Sequence, residues 1–353
     1  MTAAAPRFTA LDGLRGFAVL LVFCVHAAGN LAVVMLGRDL GATSYFALTG
    51  TTEHLLFWLF RSHHGVFIFF LLSGYLIGRM GWPRMTLAPG AFVMRRALRI
   101  YPAFLVAFAA SLAFAHVQGS FTSPDLARIA GNLVFLNGWP PAGVDAFNVV
   151  TWSLFYESTF YLAFPLVVQV ARGIGSPLLT CVAGVVLPVV ATALGADAIV
   201  LCWSLLFGGA LLAAHPPLRD ALARTPVPIV ISLYLAVTTL AMLDALPAVP
   251  AIVAFGVAAA LVLLKCLGQD NVLAATFAWR PLRELGRVSY SFYLVHWMIV
   301  VLVARAADAG ALSGTAAAAA IFLGGFALSA LAATALWWVA ERPYFAWARR
   351  GTG

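Results

Sequence analysis

Three titratable side chains sit inside otherwise apolar runs, and all are of types that perform acid–base chemistry: His26, Glu157 and His296. His26 follows Arg15 by eleven residues in LDGLRGFAVLLVFCVHAAGN. Eleven α-helical steps make about three full turns, so the two share a face about 16 Å apart along the axis. That is roughly half of a hydrocarbon core about 30 Å thick. An imidazole near a membrane midplane, in line with an arginine at its edge, is costly to keep and reads as a functional group. Glu157, in WSLFYESTFYLAFP, lies nine residues past Asn148 on a helix descending from the outside, hence about 14 Å deep. His296, in LGRVSYSFYLVH, lies nine residues past Arg287 on a helix rising from the cytoplasm and also reaches about 14 Å. The three groups therefore come to similar depth. A buried carboxylate near an imidazole orients it, holds its tautomer and raises its basicity, which is what general-base chemistry requires.

Plainer roles stand beside these. His26 and Glu157 would also serve as hydrogen-bonding groups between helices, and Ser289, Tyr293 and His296, at i, i+4 and i+7, would make one polar packing stripe. A second constellation is basic: Arg95, Arg96 and Arg99 in FVMRRALRIYP, with Arg96 and Arg99 on one face at i, i+3. The planar guanidinium fork suits phosphate, and a helix start adds partial positive charge. With Arg15 these arginines could clamp a nucleotide-type donor on the cytoplasmic side, or simply anchor topology against lipid headgroups. Asp12 is placed to cap the first helix. In GVFIFFLLSGYLIG, Ser73 offers a hydrogen bond, and Gly65, Gly74 and Gly78 leave room either for close packing or for a substrate. His63 and His64, beside Arg61, fit a vestibule or headgroup contact. As neighbours they point to different faces of a helix, and with no HxxxH or HExxH pattern no metal site is expected.

These groups need elements to hold them, and composition says which. Of 353 residues 63% are hydrophobic and 10% charged, with a mean hydropathy of +0.97, which excludes an ordinary soluble domain. The expectation is an all-α, polytopic integral membrane protein. Ten apolar runs are candidate transmembrane helices: Leu14–Leu36, Leu55–Gly78, Ile100–Val117, Asn148–Val170, Pro177–Leu194, Ala198–Ala214, Val227–Leu243, Ala248–Leu267, Val288–Ala304 and Leu312–Val339. Continuous rather than alternating runs disfavour a β-barrel. Ile129–Leu136 and the amphipathic segment Asn271–Gly286 read as short interfacial pieces, the second a helix before the ninth span. With Arg79–Arg99 cytoplasmic, 17 of the 21 basic residues fall inside and only Arg38, Arg61, Arg128 and Arg305 lie outside or towards it. This asymmetry places both termini in the cytoplasm and explains the net charge of +8 without nucleic acid. The first run is too long for a cleavable signal. Cys24, Cys181, Cys202 and Cys266 have no metal or redox spacing and read as small packing residues.

LDGLRGFAVLLVFCVH, GVFIFFLLSGYLIG, RRALRIYPAF, WSLFYESTFYLAFP, LGRVSYSFYLVH and the closing ERPYF together resemble the membrane-bound acyltransferase family 3, the bacterial O-acyltransferases of polysaccharide, lipopolysaccharide, peptidoglycan and natural products. The resemblance runs in order from Phe8 to Phe345. It implies one transmembrane acyltransferase domain over 1–353, with its core at about 8–345 and no appended soluble domain. It also implies a multi-pass location in the bacterial inner membrane, and acyl-CoA as the donor co-substrate. The family's arginine and histidine, ten residues between them, match Arg15 and His26; its RxxR matches Arg96 and Arg99, and its glutamate after WSL matches Glu157. The family's frequent aspartate after GV is absent, because Phe67 stands there.

The expected function is transfer of an acyl group, foremost acetyl from acetyl-CoA, to a hydroxyl of a carbohydrate, glycolipid or small molecule. His26 would act as base or transient acyl carrier and Glu157 would assist it, while Arg15, Arg96 and Arg99 would bind CoA. Ser73, Tyr293 and His296 are expected around the substrate or behind the catalytic groups. Partners are then the lipid bilayer, acyl-CoA and the acceptor, with no metal and no nucleic acid. The competing class is a proton-coupled transporter or flippase, in which the midplane groups relay protons. The lack of a repeated half with paired broken helices argues against it.

Overall fold

The computed structural model describes residues 9–83, 87–121, 125–243, 245–268 and 270–350. Phe8, Arg7 and Arg84 lie outside the described residues, as do the side chains of Arg349 and Arg350. Among the described residues the chain is helical, with no strand. In chain order the α-helices are α1 (Thr9–Leu36), α2 (Thr51–Phe60), α3 (His64–Gly81), α4 (Pro89–Val117), α5 (Leu126–Leu133), α6 (Trp152–Ile174), α7 (Pro177–Ala193), α8 (Leu201–Ala214) and α9 (Pro216–Ala223). They continue with α10 (Val227–Met242), α11 (Ala248–Leu267), α12 (Val272–Phe277), α13 (Arg280–Arg287) and α14 (Ser289–Ala309). The last helix runs through α15 (Gly314–Ala318), α16 (Gly325–Leu336) and α17 (Arg342–Arg350), joined by π-helical turns at Ala319–Gly324 and Trp337–Glu341.

Each of the ten predicted spans is an apolar helix here, but they differ in reach. Among the described residues seven are long and apolar enough to cross a membrane: α1, α2 with α3, α4, α6, α11, α14 and the last helix. The stretch Ala198–Ala214 becomes an eighth only together with α9, which leaves it at 98°. At 17 and 16 residues, α7 and α10 are about 25 Å long, less than a hydrocarbon core of about 30 Å. The second span is interrupted by a turn at residues 61–63. The Asn271–Gly286 segment is two helices rather than one. α12 stops after Phe277, and Pro281, unable to donate a backbone hydrogen bond, stands in the first turn of α13. The expected Ile129–Leu136 piece is instead α5, begun three residues earlier because the Asp125 carboxylate caps it by accepting from the Arg128 amide.

The helices group into two compact units, each discontinuous in sequence, and α1 and α6 contribute to both. One unit comprises Met1–Leu21, His63–Thr86 and Val167–Ser289. Its interior is organised by two backbone-to-backbone crossings. Where α3 meets α8, a Cβ on Gly74 would lie 1.8 Å from the Leu206 carbonyl oxygen, and one on Gly209 would lie 2.0 Å from that of Leu71. Gly74 and Gly78 of this span thus serve helix packing, and the Trp82 indole N–H, donated to the Ala210 carbonyl at 3.0 Å, fastens the same crossing. The first turns of α1 meet α12 and α13 just as closely: a Cβ on Gly286 would lie 1.7 Å from the Asp12 oxygen. His64 is buried against the rings of Phe255 and Tyr234, whereas His63 is exposed.

The other unit comprises Val22–Ser62, Leu87–Leu166 and Tyr290–Gly353. Its core is aromatic, with Phe23 against Phe292 and Phe326, and Phe104 against Phe108 and Phe135. Phe135 has a left-handed backbone, φ 64°, which an aromatic residue adopts only when packing compels it. Here burial against Phe104 and Tyr101 supplies that compulsion. The segment between α5 and α6 is tied down by Arg128, which donates to the carbonyls of Asp145 and Ala146 and lies 4.0 Å over the Phe147 ring.

Gly286→Ala is expected to lower the thermal stability of the detergent-solubilised protein by at least the roughly 1–3 kcal/mol typical of overpacking, because the obstructing atom is backbone. Gly173→Ala, with nothing within 4 Å of the added carbon, serves as the control and should leave the melting temperature within error.

Candidate active site

The second unit gathers most of the side chains singled out in the sequence: His26, Arg96, Arg99, Glu157, Tyr293 and His296. Arg15 and Ser73 belong to the first. Arg15 lies on the opening turns of α1 at 4.0 Å from Asp12, an i, i+3 pair, while His26 follows on the same helix.

The centre of the site is a pair of imidazoles. His26 and His296 have ring centroids 5.2 Å apart, so two residues separated by 270 positions in sequence are neighbours in space. His296 is fully buried, stacked on Phe292, and its Nδ1 lies 3.1 and 2.9 Å from the carbonyl oxygens of Phe292 and Tyr293. A carbonyl only accepts, so the proton resides on Nδ1 and Nε2 keeps its lone pair. That Nε2 is buried and makes no hydrogen bond among the described residues. Lone pairs buried without a partner are unusual in structural positions. His26, by contrast, is only half-buried.

What holds α14 in register for this pairing is a set of polar ties at its start. The Tyr293 hydroxyl donates to the Val150 carbonyl at 2.6 Å and lies 2.8 Å from the Ser153 hydroxyl, while the Asn148 amide donates to the Leu294 carbonyl at 2.8 Å. Tyr290 donates to the Ile100 carbonyl on α4 at 2.9 Å. The strongest tie was not singled out in the sequence. Glu341, fully buried in the second π turn, accepts from the Ser291 hydroxyl at 2.5 Å and from the Ser291 amide at 3.2 Å, and pairs with the Arg99 guanidinium. Its only mark in the sequence is its place in the closing ERPYF. Its partners both precede it in the chain, Arg99 by 242 residues and Ser291 by 50, too far for any local pattern to report.

Glu157 lies on α6 and accepts a hydrogen bond from Tyr161, one turn further along. The Tyr161 ring in turn lies 5.8 Å beneath the Arg96 guanidinium, which also covers Phe92. The two arginines of the RxxR pair are thus differently employed. Arg99 is neutralised by Glu341 and covered by the Phe345 ring at 4.6 Å, whereas Arg96 presents its planar face to aromatic rings. The adjacent Arg95 is exposed, as a headgroup anchor would be.

Residues 8–338 match the sequence profile of a family described as an acyltransferase domain. Over 326 residues the chain is 28% identical to Acyltransferase MdmB of Streptomyces mycarofaciens, covering 83% of this chain and 79% of the relative. It is 31% identical over 164 residues to BcsY of Komagataeibacter xylinus, provisionally named a membrane-bound transacylase. That match covers 43% of this chain and 34% of BcsY. Protein 2 in the picA locus of Rhizobium radiobacter is also 31% identical, over 163 residues that make up 44% of this chain and 68% of that protein. No solved structure matches the chain.

Glu341→Ala leaves the Arg99 charge without its counter-ion. The expected loss in unfolding stability is about 3 kcal/mol, the low end of the range for broken buried pairs, because Arg99 is still a quarter exposed. Adding Arg99→Ala should recover part of that loss. Additive losses in the double-mutant cycle would mean that the two groups do not interact.

Proposed function

This chain belongs to the acyltransferase-domain family, and from that premise we propose that it is an O-acyltransferase moving an acyl group, foremost acetyl, from acyl-CoA to a hydroxyl acceptor. The observation that carries the reading is the imidazole pair, in which a half-buried His26 stands beside a buried His296 whose tautomer is fixed by backbone carbonyls. Thioester-to-ester exchange needs a base that takes the acceptor's hydroxyl proton as the oxygen attacks the carbonyl carbon. The same group must return that proton to the departing thiolate. His26 is assigned both steps. Glu157, held by Tyr161, offsets the positive charge that His26 gains between them. His296, neutral and packed, keeps a second lone pair close to the first imidazole, and Tyr293 fixes the helix that carries it.

For the donor, Arg96 is the preferred phosphate contact. Its face is already supported by Phe92 and Tyr161, and phosphate would bind along its edge. Arg99 is assigned a supporting role through Glu341. Arg15 enters through its place in the motif eleven residues before His26, and Ser73 remains a candidate contact on the substrate. The acceptor is proposed to be a carbohydrate, a glycolipid or a small hydroxylated molecule. The setting is proposed to be the inner membrane, with both chain ends on the cytoplasmic side.

The test is acetyl-CoA binding and thiol release by the purified protein. Wild type should bind and release thiol, and His26→Ala should still bind while losing about 10²–10⁴-fold in turnover, the usual worth of a general base. Glu157→Gln should bind normally and turn over more slowly. No binding by well-folded wild type offered several acyl-CoAs would overturn the proposal. Arg96→Ala should raise the acyl-CoA dissociation constant by about tenfold or more, as expected for a lost charge-assisted hydrogen bond. Unchanged affinity would reassign that arginine to topology.

A further inference from the structure

We propose that the first unit contains a separate binding pocket for a phosphate ester, built from Arg79, Arg219 and Lys265. The proposal rests on the acyltransferase reading only for the identity of the natural ligand. The pocket is a cavity of about 430 Å³, within the range of small-molecule sites. Among the described residues its polar lining is Tyr75, Arg79, Arg219, Asp220, Lys265 and Asn271, three cations against one carboxylate, with leucine and alanine side chains beside them.

Each cation is held in place by something other than lipid. Lys265, on the last turn of α11, donates its ammonium to the carbonyl of Ala223, the final residue of α9, at 2.6 Å. Two of its three N–H bonds then remain for another acceptor. Arg219 is oriented by Asp220, Nε to Oδ1 at 2.9 Å. Arg79 lies 6.0 Å over the ring of Tyr75, which is itself buried. Asn271 closes the far side, donating to the Lys265 carbonyl at 2.9 Å while its side-chain oxygen caps α12.

An arginine that only marks topology needs a headgroup on an open surface. Here two arginines and a lysine, separated by up to 186 positions in sequence, converge on one concavity. The wall is mixed, with the buried Leu264 and the Tyr75 ring beside the cations. That combination suits a phosphate ester with an organic body rather than a bare ion, because guanidinium forks take phosphate oxygens in pairs. Arg79, Arg219 and Lys265 all fall on the side that the charge asymmetry assigns to the cytoplasm, where nucleotide donors and anionic headgroups both occur.

Two probes separate those sources: ADP, the diphosphate shared by nucleotides and the coenzyme A head, and phosphatidylglycerol in nanodiscs. Binding of each to full-length protein is compared among wild type, Arg79→Gln/Arg219→Gln and, as control, the exposed Arg305→Gln. Lys265→Met alone is the second variant, in case the double substitution does not fold. The expected result is that at least one probe binds wild type and the control, and that its affinity falls about tenfold or more in the double variant or in Lys265→Met. The probe that responds identifies the source. If neither probe binds wild type, or both bind every variant equally, the pocket is overturned. Acetyl-CoA thiol release on the same samples keeps the two readings apart. Turnover with unaltered probe binding would sink the pocket alone, and pocket binding without turnover would sink the transferase reading alone.

Discussion

A charge removed from water must be met by an opposite charge and by hydrogen bonds, or the segment carrying it does not stay buried. In the second unit the pairing of Arg99 with Glu341 answers that demand, and much else follows from it. Glu341 has no exposed side-chain surface, so the helix that bears it is held where Arg99 on α4 can reach. The same carboxylate receives both the hydroxyl and the amide of Ser291, which fixes the start of α14 in rotation as well as position. Tyr293 and His296 lie two and five residues further along, so their directions are set once Ser291 is set. The imidazole pair is thus held in register by an ion pair that touches neither imidazole in sequence. A well-packed hydrophobic pair would cost less to bury. What the ion pair supplies is a single allowed alignment of three helices.

The parts of this arrangement that could be read in the sequence were those with a local signature. Apolar runs mark the helices, because a bilayer leaves a backbone few alternatives to satisfying itself, but among the described residues seven, or eight with the bent Ala198–Ala223 pair, are long enough to cross. His26, Glu157 and His296 stood out because titratable groups in such runs are rare, and two of them do meet as neighbouring rings. In GVFIFFLLSGYLIG local pattern leaves Gly74 open between packing and substrate room, and the Leu206 backbone against it decides for packing. Glu341 was not legible at all. Its meaning lies wholly in Arg99 and Ser291, and no local pattern reports on contacts at that separation. Arg79, Arg219 and Lys265 were hidden for the opposite reason, since each already had a sufficient explanation as a topology signal.

The backbone crossings show how the helices of the first unit are held together. Without a hydrophobic driving force between helices in lipid, close packing supplies much of the association. The α1 crossing at Gly286 and the α3 crossing at Gly74 bring main chain against main chain, which maximises dispersion contact and removes side-chain rotamers from the joint.

The π turn at Trp337–Glu341 carries a consequence of its own. A π turn accommodates one residue more than the α-helix it interrupts, and one residue corresponds to about 100° of rotation. With the earlier π turn at Ala319–Gly324, the last helix is therefore written in three phases. α16 is apolar all round, whereas α17, RPYFAWARR, carries its polar residues on a helix turned to a different azimuth. Shortening the turn by one residue would rephase everything beyond it. The spacing between α16 and Arg342 is thus as specific a part of the structure as any side chain in it.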